Sequence, residues 1–198
     1  MSDYELELAE ASGSEDDEEE EPMPTIEHAI IGSTLNRLLG NFVAERQLGR
    51  VMDSSLEYKF LATKDAEKGR ERGKGKIQSR YPDVSFIRQE RLPKKMRSYP
   101  EIAPDLVVEV SSPSDREYEI EAKVKEYQKA KVKLVWVIQP YSRAVDVYRL
   151  PHGLKLQRYM ENEELDGEDV IPGFKLKVSL IFDFPPEEGI EVVARTVE

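Results

Sequence analysis

The stretch APDLVVEVSSPSDREYEIEAKVKEYQKAKVKLVWVIQP, residues 103–140, decides the fold. Leu106 to Val110 is an apolar, β-branched run broken only by Glu109, which predicts a buried strand. Ser112-Pro113-Ser114 stops it, and Ser114 with Glu117 three residues later is a capping-box pattern that opens a helix. That helix should run to about Ala130, with Ile120, Val124 and Tyr127 as its sheet-facing stripe. Leu134 to Ile138 is a short apolar run closed by Pro140, hence a second buried strand. A strand–helix–strand unit of this length forms a right-handed crossover between parallel strands.

On the N-terminal side, Val84 to Ile87 and Ser55 to Ala62 are expected to be strands. Before them Thr25 can cap a helix whose apolar residues Ile31, Leu35, Leu38, Leu39 and Phe42 fall at helical spacing. This helix should reach about Glu45 and be ended by Gly49. On the C-terminal side, Ala144 to Leu150, Leu154 to Met160 and Phe174 to Ile181 are expected strands, with turns at Pro151-His152-Gly153 and Pro172-Gly173. Three consecutive strands would most simply form an antiparallel meander before the crossover. The expected fold class is thus α/β (α+β): a mixed sheet flanked by helices, with a β-rich C-terminal extension.

The chain carries 40 acids against 29 bases, but eleven of the acids lie in residues 1–22, which hold no Lys or Arg; the remainder is balanced. A run such as Glu15 to Glu21 repels itself and has almost nothing to bury, so residues 1–22 are expected to be a disordered acidic tail, and 23–198 one folded domain. The tail either solubilises the domain or acts as a polyanion that competes with nucleic acid for a basic groove. There is no Cys, which excludes disulfides, thiolate metal sites and a Cys nucleophile, and fits a reducing cytoplasm. The longest apolar run, Leu134 to Ile138, is far too short to span a bilayer, and the acidic N-terminus is not that of a signal or transit peptide. A Ser/His hydrolase is disfavoured, because His28 and His152 are the two histidines and no nucleophile-elbow motif is present.

Two acids break strands: Asp83 opens Asp-Val-Ser-Phe-Ile, and Glu109 sits inside Leu-Val-Val-Glu-Val. An acid in a buried strand is costly unless it is paired or bound to a metal. In an antiparallel pair the start of one strand lies beside the end of the next, so Asp83 is expected beside Glu109. Asp105 is four residues from Glu109, roughly 13 Å at strand rise, and is expected to serve at the strand entry instead. Two convergent carboxylates without Cys or a nearby His favour a hard cation, Mg2+ or Mn2+, although on spacing alone a structural salt bridge is the better reading. Lys123 lies on the flank of the Ile120–Val124–Tyr127 stripe and leans toward the sheet, whereas Lys125 and Lys129 point to solvent. The other reading of a flank lysine is that it extends its stem past the apolar face to solvent.

These residues resemble a known family. YPDVSFI (81–87), APDLVVEVSSPSD (103–115), KVKEY (123–127), LVWVIQP (134–140) and VDVYR (145–149) stand in the order and spacing of the bacterial Uma-two restriction endonuclease family, long a domain of unknown function, within the PD-(D/E)XK nuclease superfamily. EHAIIGSTLNRLL (27–39) and DGEDVIPGFKL (166–176) extend the similarity to roughly residues 25–182. The resemblance implies a metal-dependent endonuclease acting on nucleic acid, in particular DNA, with Asp83 as the motif aspartate and Glu109 as the motif glutamate, both holding the metal. The usual Glu-x-Lys reads Glu109-Val110-Ser111 here, so Ser111 occupies the place of the strand lysine, and Lys123 matches the helix lysine that takes over its charge. Glu27 and His28 match positions on the first helix. Gln139 stands where the family usually has Asp, which keeps an oxygen but loses the charge for a second metal. A homodimer is implied if both strands of a duplex are cut.

Residues 64–80 are rich in cations: Lys64, Lys68, Arg70, Arg72, Lys74, Lys76 and Arg80 against Asp65, Glu67 and Glu71. The segment leads into Asp83, so it is either a flexible phosphate clamp whose affinity falls with salt or a solvated hairpin tip. No recognition helix, zinc finger or aromatic stacking platform is legible. The rival to an enzyme is a non-catalytic nucleic-acid-binding or interaction module on the same fold.

Overall fold

The computed structural model describes residues 25–61, 77–112, 115–150 and 155–184. The acidic tail (residues 1–22), most of the 64–80 segment, Ser114 and the turn at 151–153 lie outside the described residues. Helix α1 spans Ile26–Glu45, capped as expected by Thr25, whose hydroxyl accepts the His28 amide at 3.2 Å. It buries Ile31, Leu35, Leu39 and Val43 against the sheet. Each fully buried aliphatic side chain of this kind contributes about 1.5–3 kcal/mol.

The main sheet has six strands in the order β1 (Gly49–Asp53), β4 (Val84–Arg88), β5 (Leu106–Val110), β6 (Leu134–Gln139), β7 (Ala144–Arg149) and β8 (Lys155–Met160). β5 and β6 pair in parallel, and every other neighbouring pair in this sheet is antiparallel. The crossover is made by helix α2, Glu117–Lys129. The sheet is therefore mixed and lies between two helical layers. Ile31, Leu35, Val108, Trp136 and Ile138 belong to the core on the α1 side, and Val107, Val124, Tyr127, Val135 and Val137 to the core on the α2 side. The C-terminal hairpin β9 (Glu164–Asp166) and β10 (Lys175–Lys177) closes the α1 side, where Phe174 stacks on Trp136 and meets the edge of Phe42.

The simple meander does not form. The 55–62 strand exists as β2 (Tyr58–Leu61), but it pairs with β3 (Ile77–Arg80) in a separate ribbon. Its place beside β4 is taken by β1. Gly49 does not end the helix; it opens this strand, where a Cβ would sit 2.1 Å from the Ile87 carbonyl oxygen. Close approach of two backbones, not helix termination, is what requires glycine there. Helix α2 starts at Glu117 with Glu119, not Glu117, reaching back to accept an N-terminal amide, that of Arg116, at 3.0 Å. The expected 174–181 strand is only β10, after which Val178–Leu180 turns into a short 3-10 helix.

Candidate active site

The β4–β5 register aligns Val84 with Val108, Ser85 with Val107 and Phe86 with Leu106. Continued by one residue, it sets Asp83 opposite Glu109, and alternation puts both on the α2 side. Asp83 Oδ2 accepts the Val110 amide at 2.7 Å, so the aspartate prolongs the ladder through its side chain. The same oxygen lies 3.3 Å from His28 Nε2, on the first turn of α1, so a histidine does stand beside the pair, against the expectation of carboxylates without one. Asp83 Oδ1 makes no hydrogen bond among the described residues.

Glu109 is approached from α2. Tyr127 donates its hydroxyl to Oε1 at 2.5 Å, and Lys123 Nζ lies 3.6 Å from Oε2. Burial nevertheless dominates: it pushes the Glu109 carboxyl up to about 7 against the pull of Lys123 and Tyr127, and the Asp83 charge adds to the rise. Tyr127 is itself raised well above 10, by burial and by the Glu109 charge. His28 is raised above 6.5 by its hydrogen bond to Asp83 and by the charges of Asp83, Asp115 and Glu109, against the opposing effect of burial. The site is thus a pair of carboxylates, one of them held up by burial, with Lys123 and His28 at its edge.

The remaining expected residues fall in different places. Ser111 donates to the Gln139 carbonyl oxygen at 2.8 Å, and the Gln139 amide donates to Asp146 at 3.2 Å. Asp146 is gripped by Arg158 through two bonds of 2.7 Å. Gln139 is therefore a bridge in a polar row running from β5 to β8, a role that needs its amide as well as its oxygen. Glu27 makes no hydrogen bond or ion pair among the described residues. Arg80 is held by Glu126 of α2, with Nε at 2.7 Å. Lys68, Arg70, Arg72, Lys74 and Lys76 lie outside the described residues. Asp105 is fully buried at the strand entry, with Arg91 at 2.8 Å, Lys133 at 3.4 Å and the Arg88 amide at 3.0 Å. Tyr127 escaped notice as a site residue because its helical spacing placed it in the core. Its hydroxyl signalled nothing until the strand glutamate beneath it was located.

Among the described residues, no group of three or more His, Cys, Asp or Glu is placed to hold a metal ion. The donor set present is two carboxylates, one of them with a free oxygen. Mg2+ is commonly held in this way, by one or two carboxylates with water and substrate phosphate completing its octahedron. Among the described residues no helix is long and apolar enough to cross a membrane.

The family model described as "Putative restriction endonuclease" (Uma2) matches residues 14–179, and the chain belongs to that family. A crystal structure described as a putative nuclease belonging to DUF820, from Anabaena variabilis ATCC 29413, superposes with a TM-score of 0.64. It is 21% identical, with 81% of this chain and 83% of that chain covered, and so shares the fold. No curated protein matches the chain.

Proposed function

We propose that the protein hydrolyses phosphodiester bonds of nucleic acid, with DNA as the substrate and Mg2+ or Mn2+ as the cofactor. The observation that carries this reading is the buried Glu109 set opposite Asp83, with Lys123 beside it. Asp83 and Glu109 would hold the metal, which when bound supplies hydroxide from water at neutral pH and neutralises charge on the phosphate. Val110 N–H and His28 fix Asp83 by one oxygen and leave the other available. Tyr127 fixes the Glu109 carboxylate. Lys123, 43% exposed, has the reach to leave Glu109 for a phosphate oxygen and offset the negative charge that develops there. The polar row from Ser111 to Arg158 keeps Gln139 committed within the sheet, which favours a single metal.

The test is cleavage of plasmid and oligonucleotide DNA with and without Mg2+ or Mn2+, by the wild type and by Asp83→Ala and Glu109→Ala. Both variants should be inactive. Metal-dependent cleavage at the wild-type rate by either would refute the assignment. Failure of millimolar Mg2+ or Mn2+ to raise the melting temperature of the wild type would favour a non-catalytic binding module.

A further inference from the structure

The connection between β4 and β5 contains Leu92-Pro-Lys-Lys-Met-Arg-Ser-Tyr-Pro100, three cations without an acid. Lys94, Lys95, Met96, Arg97 and Tyr99 are all exposed, and the three cations form no ion pair among the described residues. The end of this connection is fastened to the β2–β3 ribbon. The Lys59 amide donates to the Pro100 carbonyl at 3.3 Å, and Lys59 Nζ sits 3.8 Å from the centre of the Tyr99 ring. Tyr81, which follows β3, shares this neighbourhood: the β2–β3 register, continued by one residue, sets it opposite Glu57, the carboxylate that also pairs with Lys59 Nζ at 3.2 Å. Tyr81 and Tyr99 are each 57% exposed and Met96 is 76% exposed. Tyr81 is two residues from Asp83.

Two exposed rings, a cation stacked on one of them and an unpaired basic run are the parts of a single-strand binding surface. Rings stack on unpaired bases whatever their identity, and Lys and Arg follow the phosphates. Within a paired duplex the base faces are covered by their neighbours in the stack and are closed to such rings. We propose that Tyr81 and Tyr99, with Lys59 and the Lys94–Arg97 run, form a platform that binds unpaired bases of single-stranded nucleic acid and leads that strand toward Asp83. This rests on the nucleic-acid reading given above and specifies the form of the substrate.

The experiment measures fluorescence anisotropy of a fluorescein-labelled oligothymidylate, an abasic strand of the same length and a duplex annealed from two fully complementary strands, with full-length protein in EDTA so that binding is separated from cleavage. Stacking of one base predicts that Tyr81→Ala and Tyr99→Ala each weaken oligothymidylate binding by about 5- to 150-fold. Tyr→Phe and Tyr→Trp should stay within about twofold, and the abasic strand should bind the wild type and the Ala variants alike. Circular dichroism checks folding, and Tyr→Leu, which keeps apolar bulk without a ring, replaces any Ala variant that unfolds. Ala or Leu variants that bind oligothymidylate like the wild type would overturn the proposal. So would wild-type binding that is equally tight to abasic strand or duplex, no binding to any probe, or a dimer in light scattering that Tyr99→Ala dissociates. Ring-dependent binding without metal-dependent cleavage would instead refute the nuclease reading and leave the platform standing. Cleavage that does not depend on the rings would do the reverse.

Discussion

The carboxylate of Asp83 accepts the backbone amide of Val110 at 2.7 Å, so the side chain of one strand caps the backbone of the next beside Glu109. That bond ties the position of one acid to the position of the other. It also separates two roles for Asp83, one structural and one chemical, and they respond differently to substitution.

Asp83→Asn keeps an oxygen for the Val110 amide and should fold with a melting temperature within a few degrees of the wild type, yet lose Mg2+-dependent cleavage. Asp83→Ala removes the acceptor as well. Leaving a buried amide without its acceptor costs about 1–3 kcal/mol, so this variant should be less stable than Asp83→Asn by that order. Urea denaturation compared with cleavage of plasmid and single-stranded oligonucleotide DNA separates the two roles, and equal stability of both variants would show that the bond does not matter to folding.

Glu109 makes stability depend on pH in a defined direction. Its carboxyl is raised to about 7 in the folded protein from an ordinary value of 4.5. The folded state therefore holds the proton more tightly, and its stabilising contribution is complete below the ordinary value and lost as pH rises through about 7. At most this amounts to about 3 kcal/mol. Thermal melts of metal-free wild type should fall across this window relative to Glu109→Gln, which cannot titrate there. Millimolar Mg2+ should offset the loss in the wild type alone. Parallel wild-type and variant profiles would show that Glu109 is ionised throughout.

Lys123→Met should lower cleavage on the order of a hundredfold, the effect of removing one group that stabilises transition-state charge. Stability should change by less than about 1 kcal/mol, because the lysine is partly solvated. Lys123→Arg should restore part of the activity. Unaltered single-turnover cleavage in Lys123→Met would leave the lysine as a packing residue.

Asp105→Ala should behave in the opposite way. The aspartate is fully buried against Arg91, Lys133 and the Arg88 amide, at the far end of β5 from Glu109. Its loss should cost about 1.5–3 kcal/mol and leave the Mg2+-induced rise in melting temperature intact. Loss of the metal response in a folded Asp105→Ala protein would extend the site along the strand.

The strand–helix–strand unit was legible in the sequence because Leu106–Val110 and Leu134–Ile138 are buried on both faces, and burial leaves continuous apolar runs. The opposition of Asp83 and Glu109 followed from the antiparallel pairing of β4 with β5. The edge was illegible. Gly-Arg-Val-Met-Asp has no alternation and only Gly49 buried, so β1 looks like a loop. The ribbon strand Tyr58–Leu61 is apolar enough to pass for a member of the main sheet. Tyr127 was placed in the core on its ring, and its hydroxyl bond to Glu109 depends on a contact 18 residues away. Tyr99 and the cations before it were invisible as a group because they are joined to Lys59 and Tyr81 only by folding.

The pairing of β4 with β5 has a further consequence. A strand turns its side chains over at every step, so a one-residue slip along Val84–Phe86 would carry Asp83 to the α1 side and leave Glu109 alone. The exposed part of the connection, residues 94–98, could lengthen or shorten without touching that alignment, while a single deletion inside either strand would erase the pair and still leave two well-formed strands. The pairing of Asp83 with Glu109 is thus stored as each acid's count of residues from the paired positions Val84 and Val108, a quantity more fragile to insertion and deletion than to most substitutions.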